Sequence, residues 1–321
     1  MSANAIAAMN GSTAASGSAV TGIRWPLTRI TRQSRYPISN RCCARSFRGQ
    51  PLIPRSSRHP HNITAARDSP SKTTQKVTRP MSQRLLITGA NRGIGLEMTR
   101  QAAARGDLVT AACRQPDAAE VLQELAAAHA GSIHIIAMDV GSAESVVAAA
   151  QGHGGFEDGL DLVVANAGQL NARGGLNDPG HTEANIAESL MTNVAGVFFT
   201  ARYFVPFLRT GKPGRAASAP GKFAVISSQM GSSTRSGTSA PIYRASKAAA
   251  TNLARSLALE LAPDGIAVGA WHPGWVQTDM GGAEAAITPQ ASAEGLLARF
   301  DALTMDSSGI FETWDGEVMP F

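Results

Sequence analysis

Arg84-Leu-Leu-Ile-Thr-Gly-Ala-Asn-Arg-Gly-Ile-Gly-Leu96 is the stretch that decides how this chain folds. Its first five residues are a short apolar run closed by a glycine, the pattern of a buried strand. Its last residues open a segment with helical spacing, 93–105. Between strand and helix, Gly89, Gly93 and Gly95 form a turn of the pattern G-x-x-x-G-x-G. Glycines there allow a tight turn and a close backbone approach, and the following helix N-terminus offers free N–H groups to a pyrophosphate. A glycine cluster alone is a weak signal. Held between a strand and a helix, it predicts a phosphate cradle at the edge of a parallel sheet.

The alternation continues outward from this turn. Segments 108–113, 133–138, 160–165, 223–227 and 266–271 read as strands, and 117–129, 183–208 and 242–261 as helices. Phe198, Phe199, Val205 and Leu208 fall on the expected buried side of the helix 183–208. A last helix near 291–300 and a short strand at 309–312 close the sheet. The Gly/Pro/Ser-rich segment 210–221 reads as a surface loop, and Pro263-Asp-Gly265 as a turn. The expected architecture is α/β: a single doubly wound parallel sheet, a Rossmann fold with helices on both faces, occupying residues 81–321.

The first 80 residues differ in kind. They hold 13 of the 29 Lys+Arg and one acid, Asp68, whereas residues 81–321 hold 16 bases and 23 acids. Basicity therefore belongs to the tail, and no nucleic-acid partner is expected for the acidic remainder. Rich in Ser, Thr, Arg and Pro, residues 1–80 bury too little apolar surface to fold and are expected to be disordered. They read as an organelle transit peptide or as an upstream extension without a targeting role. Asn62-Ile63-Thr64 matches a glycosylation acceptor, but no secretory signal precedes it. Cys113 alone lies in 81–321, so a disulfide framework is excluded there, and a small buried hydrophobe is its expected role. No apolar run reaches the length of a membrane span, and the scattered histidines suggest no metal site. A soluble protein of a reducing compartment, the cytoplasm, is expected, or of a plastid or mitochondrion if the tail is a transit peptide.

Several residues carry chemistry on their own. The second strand ends Ala112-Cys113-Arg114 with no acid to accept from a ribose 2′-hydroxyl, and Arg92 adds a second guanidinium. Both suit a 2′-phosphate, which favours NADP over NAD. Tyr243 and Lys247, four apart near a helix start, share a face. An ammonium beside a phenol favours the phenolate, and is expected to bring its pKa down from about 10. Ser228, at the carboxyl end of the fifth strand, can hydrogen-bond a substrate oxygen, with Ser227 as the other choice. Asn193 is a poor helix former inside a predicted helix.

Taken together and in order, Thr88-Gly-x-x-x-Gly-x-Gly95, Asn166-Ala-Gly168, Asn193, Ser228, Tyr243-x-x-x-Lys247 and Pro273-Gly274 resemble the short-chain dehydrogenase/reductase family over essentially all of 84–321. The segment 272–282 and Trp314-Asp-Gly316 resemble more narrowly the carbonyl reductases of the sniffer and C-factor type. The resemblance implies an NADP(H)-dependent oxidoreductase that reduces an aldehyde or ketone, as a monomer or homo-oligomer. It implies Tyr243 as proton donor, Lys247 as binder of the nicotinamide ribose, Ser228 as the group that polarises the carbonyl, and Asn193 as holder of a linking water. Cofactor contacts are implied for Gly89, Asn91, Arg92, Gly93, Ile94 and Gly95 in the turn, and for Arg114, Asp139 and Val140 after the next strands. They are implied likewise for Asn166, Ala167, Gly168, Tyr243, Lys247, Pro273, Gly274, Val276 and Thr278. A dinucleotide-binding signalling protein of the C-factor type with incidental turnover is the alternative, and the intact Asn193, Ser228, Tyr243 and Lys247 set argues against it. The family's first Asn of Asn-Asn-Ala-Gly is Ala165 here, and the Ser228 to Tyr243 separation is longer than in common members. The extra segment 231–241 is expected to border the substrate pocket.

Overall fold

The computed structural model describes residues 82–152, 159–208 and 219–321. The tail 1–80 with its Asn62 triplet, and residues 210–218 of the loop expected at 210–221, lie outside the described residues; Gly221, the last residue of that loop, is in a strand instead.

Among the described residues seven strands form one parallel sheet. They are β1 (Arg84–Thr88), β2 (Leu108–Cys113), β3 (Ile133–Ala137), β4 (Leu162–Ala165), β5 (Gly221–Ile226), β6 (Ile266–His272) and β7 (Phe311–Thr313). Their order is β3-β2-β1-β4-β5-β6-β7, so the winding reverses between β1 and β4. Ligands of open α/β sheets bind outside the carboxyl ends of the strands at such a reversal. Helices α1 (Gly93–Ala104), α2 (Glu120–Ala128), α3 (Ala143–Gln151), α4 (Glu183–Leu190), α5 (Gly196–Phe204), α6 (Pro241–Leu261) and α7 (Pro289–Ala302) cover the two faces.

Strand pleat sorts the core. Leu86, Val163, Phe223 and Val225 pack with Val146 of α3, Phe204 of α5 and Leu257 of α6. Their neighbours Leu85, Ile87, Leu162 and Ala224 point the other way, onto Met98 of α1, Leu122 of α2 and Phe300 of α7. Both faces are buried, which is why these strands read as continuous apolar runs rather than alternating ones. Each such large side chain contributes about 1.5–3 kcal/mol by leaving water. Trp271 anchors the second layer edge-on to Phe300, centroids 4.9 Å apart.

Three local differences from the sequence expectation have physical causes. Helix α3 was not expected from its Ala-rich sequence; Ser142 starts it, its hydroxyl accepting from Ser145 N at 3.2 Å. Helix α2 begins only at Glu120, after a single 3-10 turn at Pro116–Ala118. The expected helix 183–208 is broken by a π turn at Met191–Ala195 and ends in a 3-10 turn at Val205–Leu208. The π turn inserts one extra residue and rotates the stripe that follows. Val205 and Leu208 are buried as expected and Phe199 packs partly, but Phe198 is 42% exposed and its place is taken by Val197, Ala201 and Phe204.

Candidate active site

The glycine turn is fixed by backbone conformation and by its neighbour strand. Gly89 and Gly93 take φ of 66° and 55°, in the left-handed region. A Cβ on Gly95 would overlap the Gly89 carbonyl oxygen and lie 2.5 Å from Asn166 Nδ2. Asn166 Nδ2 donates to the carbonyls of Thr88 (2.8 Å) and Gly89 (3.3 Å). Thr88 Oγ1 in turn accepts from the amides of Asn166 (3.0 Å) and Ala167 (2.9 Å). The end of β4 is thereby knotted to the turn after β1. No side chain caps α1, so its first-turn amides remain available as donors.

A cleft of about 680 Å³ opens at this point. Its lining brings together Gly89, Asn91, Arg92, Gly93, Ile94, Gly95, Arg114, Asp139, Val140, Asn166, Ala167, Gly168, Tyr243, Lys247, Pro273 and Thr278 from the sequence-predicted set. Gly274, Val276, Asn193 and Ser228 are not in the lining. Gly274 takes φ 89°, where a Cβ would lie 2.3 Å from Ile287 Cδ1 and 3.1 Å from Trp314 Cδ1, and Val276 is buried in a bridge with Ile287. The segment 231–241, expected to border the pocket, contributes no lining residue either. Instead Ala240, in the left-handed region at φ 48°, donates its amide to the carbonyls of Arg173 (3.2 Å) and Gly174 (2.8 Å). The segment buttresses the wall from outside.

Tyr243 and Lys247 share one face of α6, with Nζ 5.7 Å from the ring centroid. The expectation that Lys247 lowers the phenol is corrected here: burial pushes Tyr243 up to about 12, opposed by a hydrogen bond with Ser228 and by the Arg173 guanidinium. Lys247, 4% exposed, is itself pushed down to about 8 by burial while donating to Ile226 O at 2.8 Å. Ser227 touches the cleft, but its hydroxyl lies 2.6 Å from Thr251 Oγ1 and donates to Lys247 O. Ser228 is the serine bonded to Tyr243, and it also accepts from Met230 N at 3.1 Å.

Asn193 sits in the π turn, fully buried. Its Oδ1 accepts from Gln169 N (2.8 Å), and its Nδ2 donates to Gln169 O and Ser246 Oγ (2.9 Å each). The side chain thus pins the segment following Gly168 beside Lys247; a Cβ on Gly168 would lie 3.2 Å from Nζ. Arg92 pairs with Asp279 (3.4 Å) and Arg114 with Glu188 (3.7 Å), all four side chains well exposed. Such pairs are worth about 0–1 kcal/mol and yield readily to a phosphate. Cys113 is buried, and burial raises its thiol pKa.

Sequence reasoning missed Gln115, Gln169, Asn171, Arg173, Asp279 and Met280, all of which line the cleft. Each follows a recognised motif within the same connection, after Arg114, Gly168 or Thr278. Among the described residues no cluster of His, Cys, Asp and Glu could hold a metal ion, and no helix is long and apolar enough to cross a membrane.

Comparison with known proteins gives the same direction. The short chain dehydrogenase family model matches residues 83–287. The NADPH-bound carbonyl reductase from chicken fatty liver superposes with a TM-score of 0.68 at 33% identity, covering 75% of this chain and 99% of that one. Carbonyl reductase Sniffer of Drosophila melanogaster gives 0.66 at 26% identity, over 75% and 100%. C-signal of Myxococcus xanthus is 33% identical over 163 residues, 50% of this chain and 93% of its own. On its motifs, its sheet order and this family match, the chain belongs to the short chain dehydrogenase family of oxidoreductases.

Proposed function

We propose that this chain reduces an aldehyde or ketone with NADPH, the proton coming from Tyr243. The observation that carries the reading is the convergence of the glycine turn, Tyr243 and Lys247 on one cleft at the sheet's reversal point. The residues fit the dinucleotide: the uncapped amides of α1 would hold a pyrophosphate, and Arg114, at the end of a strand that carries no acid, would bind a 2′-phosphate in place of its exposed pairing with Glu188. The NADPH held by the chicken carbonyl reductase supports the same choice. When bound, the nicotinamide supplies the hydride.

The protein's own groups handle the proton and the geometry. Burial keeps the Tyr243 phenol protonated across the physiological range, so it is loaded as an acid for the oxyanion that forms on the substrate. Ser228, hydrogen-bonded to it, orients the pair and offers a donor to the same oxygen. Lys247, poised near 8 with one donor used on Ile226 O, can exchange protons at neutral pH and bond ribose hydroxyls with the others. Asn193 acts one step back, holding Gln169 and hence the floor of the cleft.

Tyr243→Phe tests the reading. Turnover of a carbonyl panel with NADPH should fall by at least about a thousandfold, within the range of general acid catalysis plus lost orientation. NADPH affinity, read by nicotinamide fluorescence, should stay within a few-fold. Wild-type turnover by this variant would remove Tyr243 from the mechanism.

A further inference from the structure

Arg173 is a cleft-lining residue to which neither the glycine turn nor the Tyr243 to Lys247 pair gives a role. Its main chain is anchored beside Tyr243, because Ala240, three residues ahead of that tyrosine, donates its amide to Arg173 O. Its side chain reaches Met280, another lining residue, where Nη2 donates to Met280 O at 2.7 Å. The arginine therefore ties the chain beside Tyr243 to Met280 along the cleft wall.

A guanidinium carries five N–H donors and matches a carboxylate in a two-bond fork. Among the described residues the Met280 carbonyl is the acceptor recorded for this guanidinium, and no carboxylate neutralises it. Asp279, next to Met280, and Asp178, five residues after Arg173, are engaged by groups other than this guanidinium, Asp178 in part by the Arg173 main-chain amide. Asp279 faces Arg92 at 3.4 Å. Asp178 accepts from the amides of Gly174 (2.5 Å) and Gly180 (2.8 Å). The adjoining wall is polar too, with Gln169 and Asn171 beside Arg173. A cation left unpaired in a pocket wall selects for an anion. Its reach to the centre of the site shows in the pull it exerts on the Tyr243 phenol.

We propose that Arg173 recognises the substrate, and that the substrate is a carbonyl compound bearing a carboxylate, an oxo acid rather than a neutral ketone or aldehyde. The inference rests on the NADPH-dependent carbonyl reduction proposed above.

The test compares 4-formylbenzoate with its methyl ester, in which a methyl group masks the anion, using the full chain and NADPH; intrinsic differences between the two aldehydes are common to wild type and variants. Wild type should favour the acid in kcat/KM. In Arg173→Gln the acid-to-ester ratio should fall at least about tenfold, the loss of one charge-assisted bond. Arg173→Lys should restore part of it. The ratio cancels whatever either substitution does to Tyr243 or to folding. A second readout needs no turnover: calorimetric binding of 4-carbamoylbenzoate to the NADPH complex should weaken in parallel, while neutral terephthalamide shows no such change. Equal loss on acid and ester, with a displaced pH profile, would make Arg173 a modulator of Tyr243 and overturn the proposal. So would a wild type that reduces the ester as well as the acid, which leaves carbonyl reduction itself standing. Reduction of neither aldehyde would bring down both readings together.

Discussion

Lys247 should make the folded protein less stable than it could be at neutral pH, and more stable as the pH rises. The side chain is 4% exposed, and burial lowers its pKa from 10.5 to about 8. At about 1.36 kcal/mol for each pK step, keeping the ammonium buried costs about 3 kcal/mol. Lys247→Met keeps the length of the chain and removes the charge, but strands Ile226 O, which loses a 2.8 Å bond at about 1–3 kcal/mol. The net expectation is a variant roughly 1 kcal/mol more stable at pH 7 and inactive. The sharper signature is pH dependence. Below pH 8 folded and unfolded wild type both hold the proton, so the full cost is present. Between 8 and 10.5 the folded state releases it while the unfolded state retains it, and wild-type stability rises with pH. Urea unfolding without nucleotide from pH 7 to 9.5 should therefore show the variant's advantage shrinking by about 2 kcal/mol. The range stops short of 10, where Tyr243, raised from 10.0 to about 12, starts to lower the stability of both proteins. Stability curves that run parallel over this range would refute the burial argument.

Two other outcomes bear on the nucleotide side. Gly95→Ala places a methyl group onto the Gly89 carbonyl and Asn166, so the turn must open; NADPH affinity by fluorescence titration should drop by at least tenfold, and wild-type affinity would show that the turn does not hold the pyrophosphate. Arg114→Asp exchanges its pairing with Glu188 for repulsion of both Glu188 and a 2′-phosphate; the ratio of kcat/KM for NADPH over NADH should fall at least tenfold, and an unchanged ratio would leave discrimination to other residues.

Most of the frame was legible because it is written in local pattern. β2 matches its expected bounds and α6 differs by one residue, since apolar runs and turn residues mark their ends. The site was legible where one turn or one helix face sets the geometry, as in Gly89 to Gly95 and the Tyr243 to Lys247 pair. It was not legible where distant chain decides. The π turn at Asn193 exists with its amide engaged by Gln169 and Ser246, 24 and 53 residues away. Gly274 and Val276 are outside the cleft where Ile287, farther along the chain, crowds the one and bridges the other. The phenol's direction of shift follows from burial, which i,i+4 spacing does not encode, and Arg173 belongs to no motif at all.

The knot made by Thr88 has a thermodynamic consequence. One hydroxyl accepting from Asn166 and Ala167 spans the fork where β1 and β4 diverge, and the Asn166 amide ties back across it. The slot's width is then a property of the folded chain rather than of its occupant. The entropy of shaping it is lost once, during folding, and is absent from the free energy of nucleotide association. Exchange of spent for fresh dinucleotide can accordingly proceed without the two halves of the sheet parting.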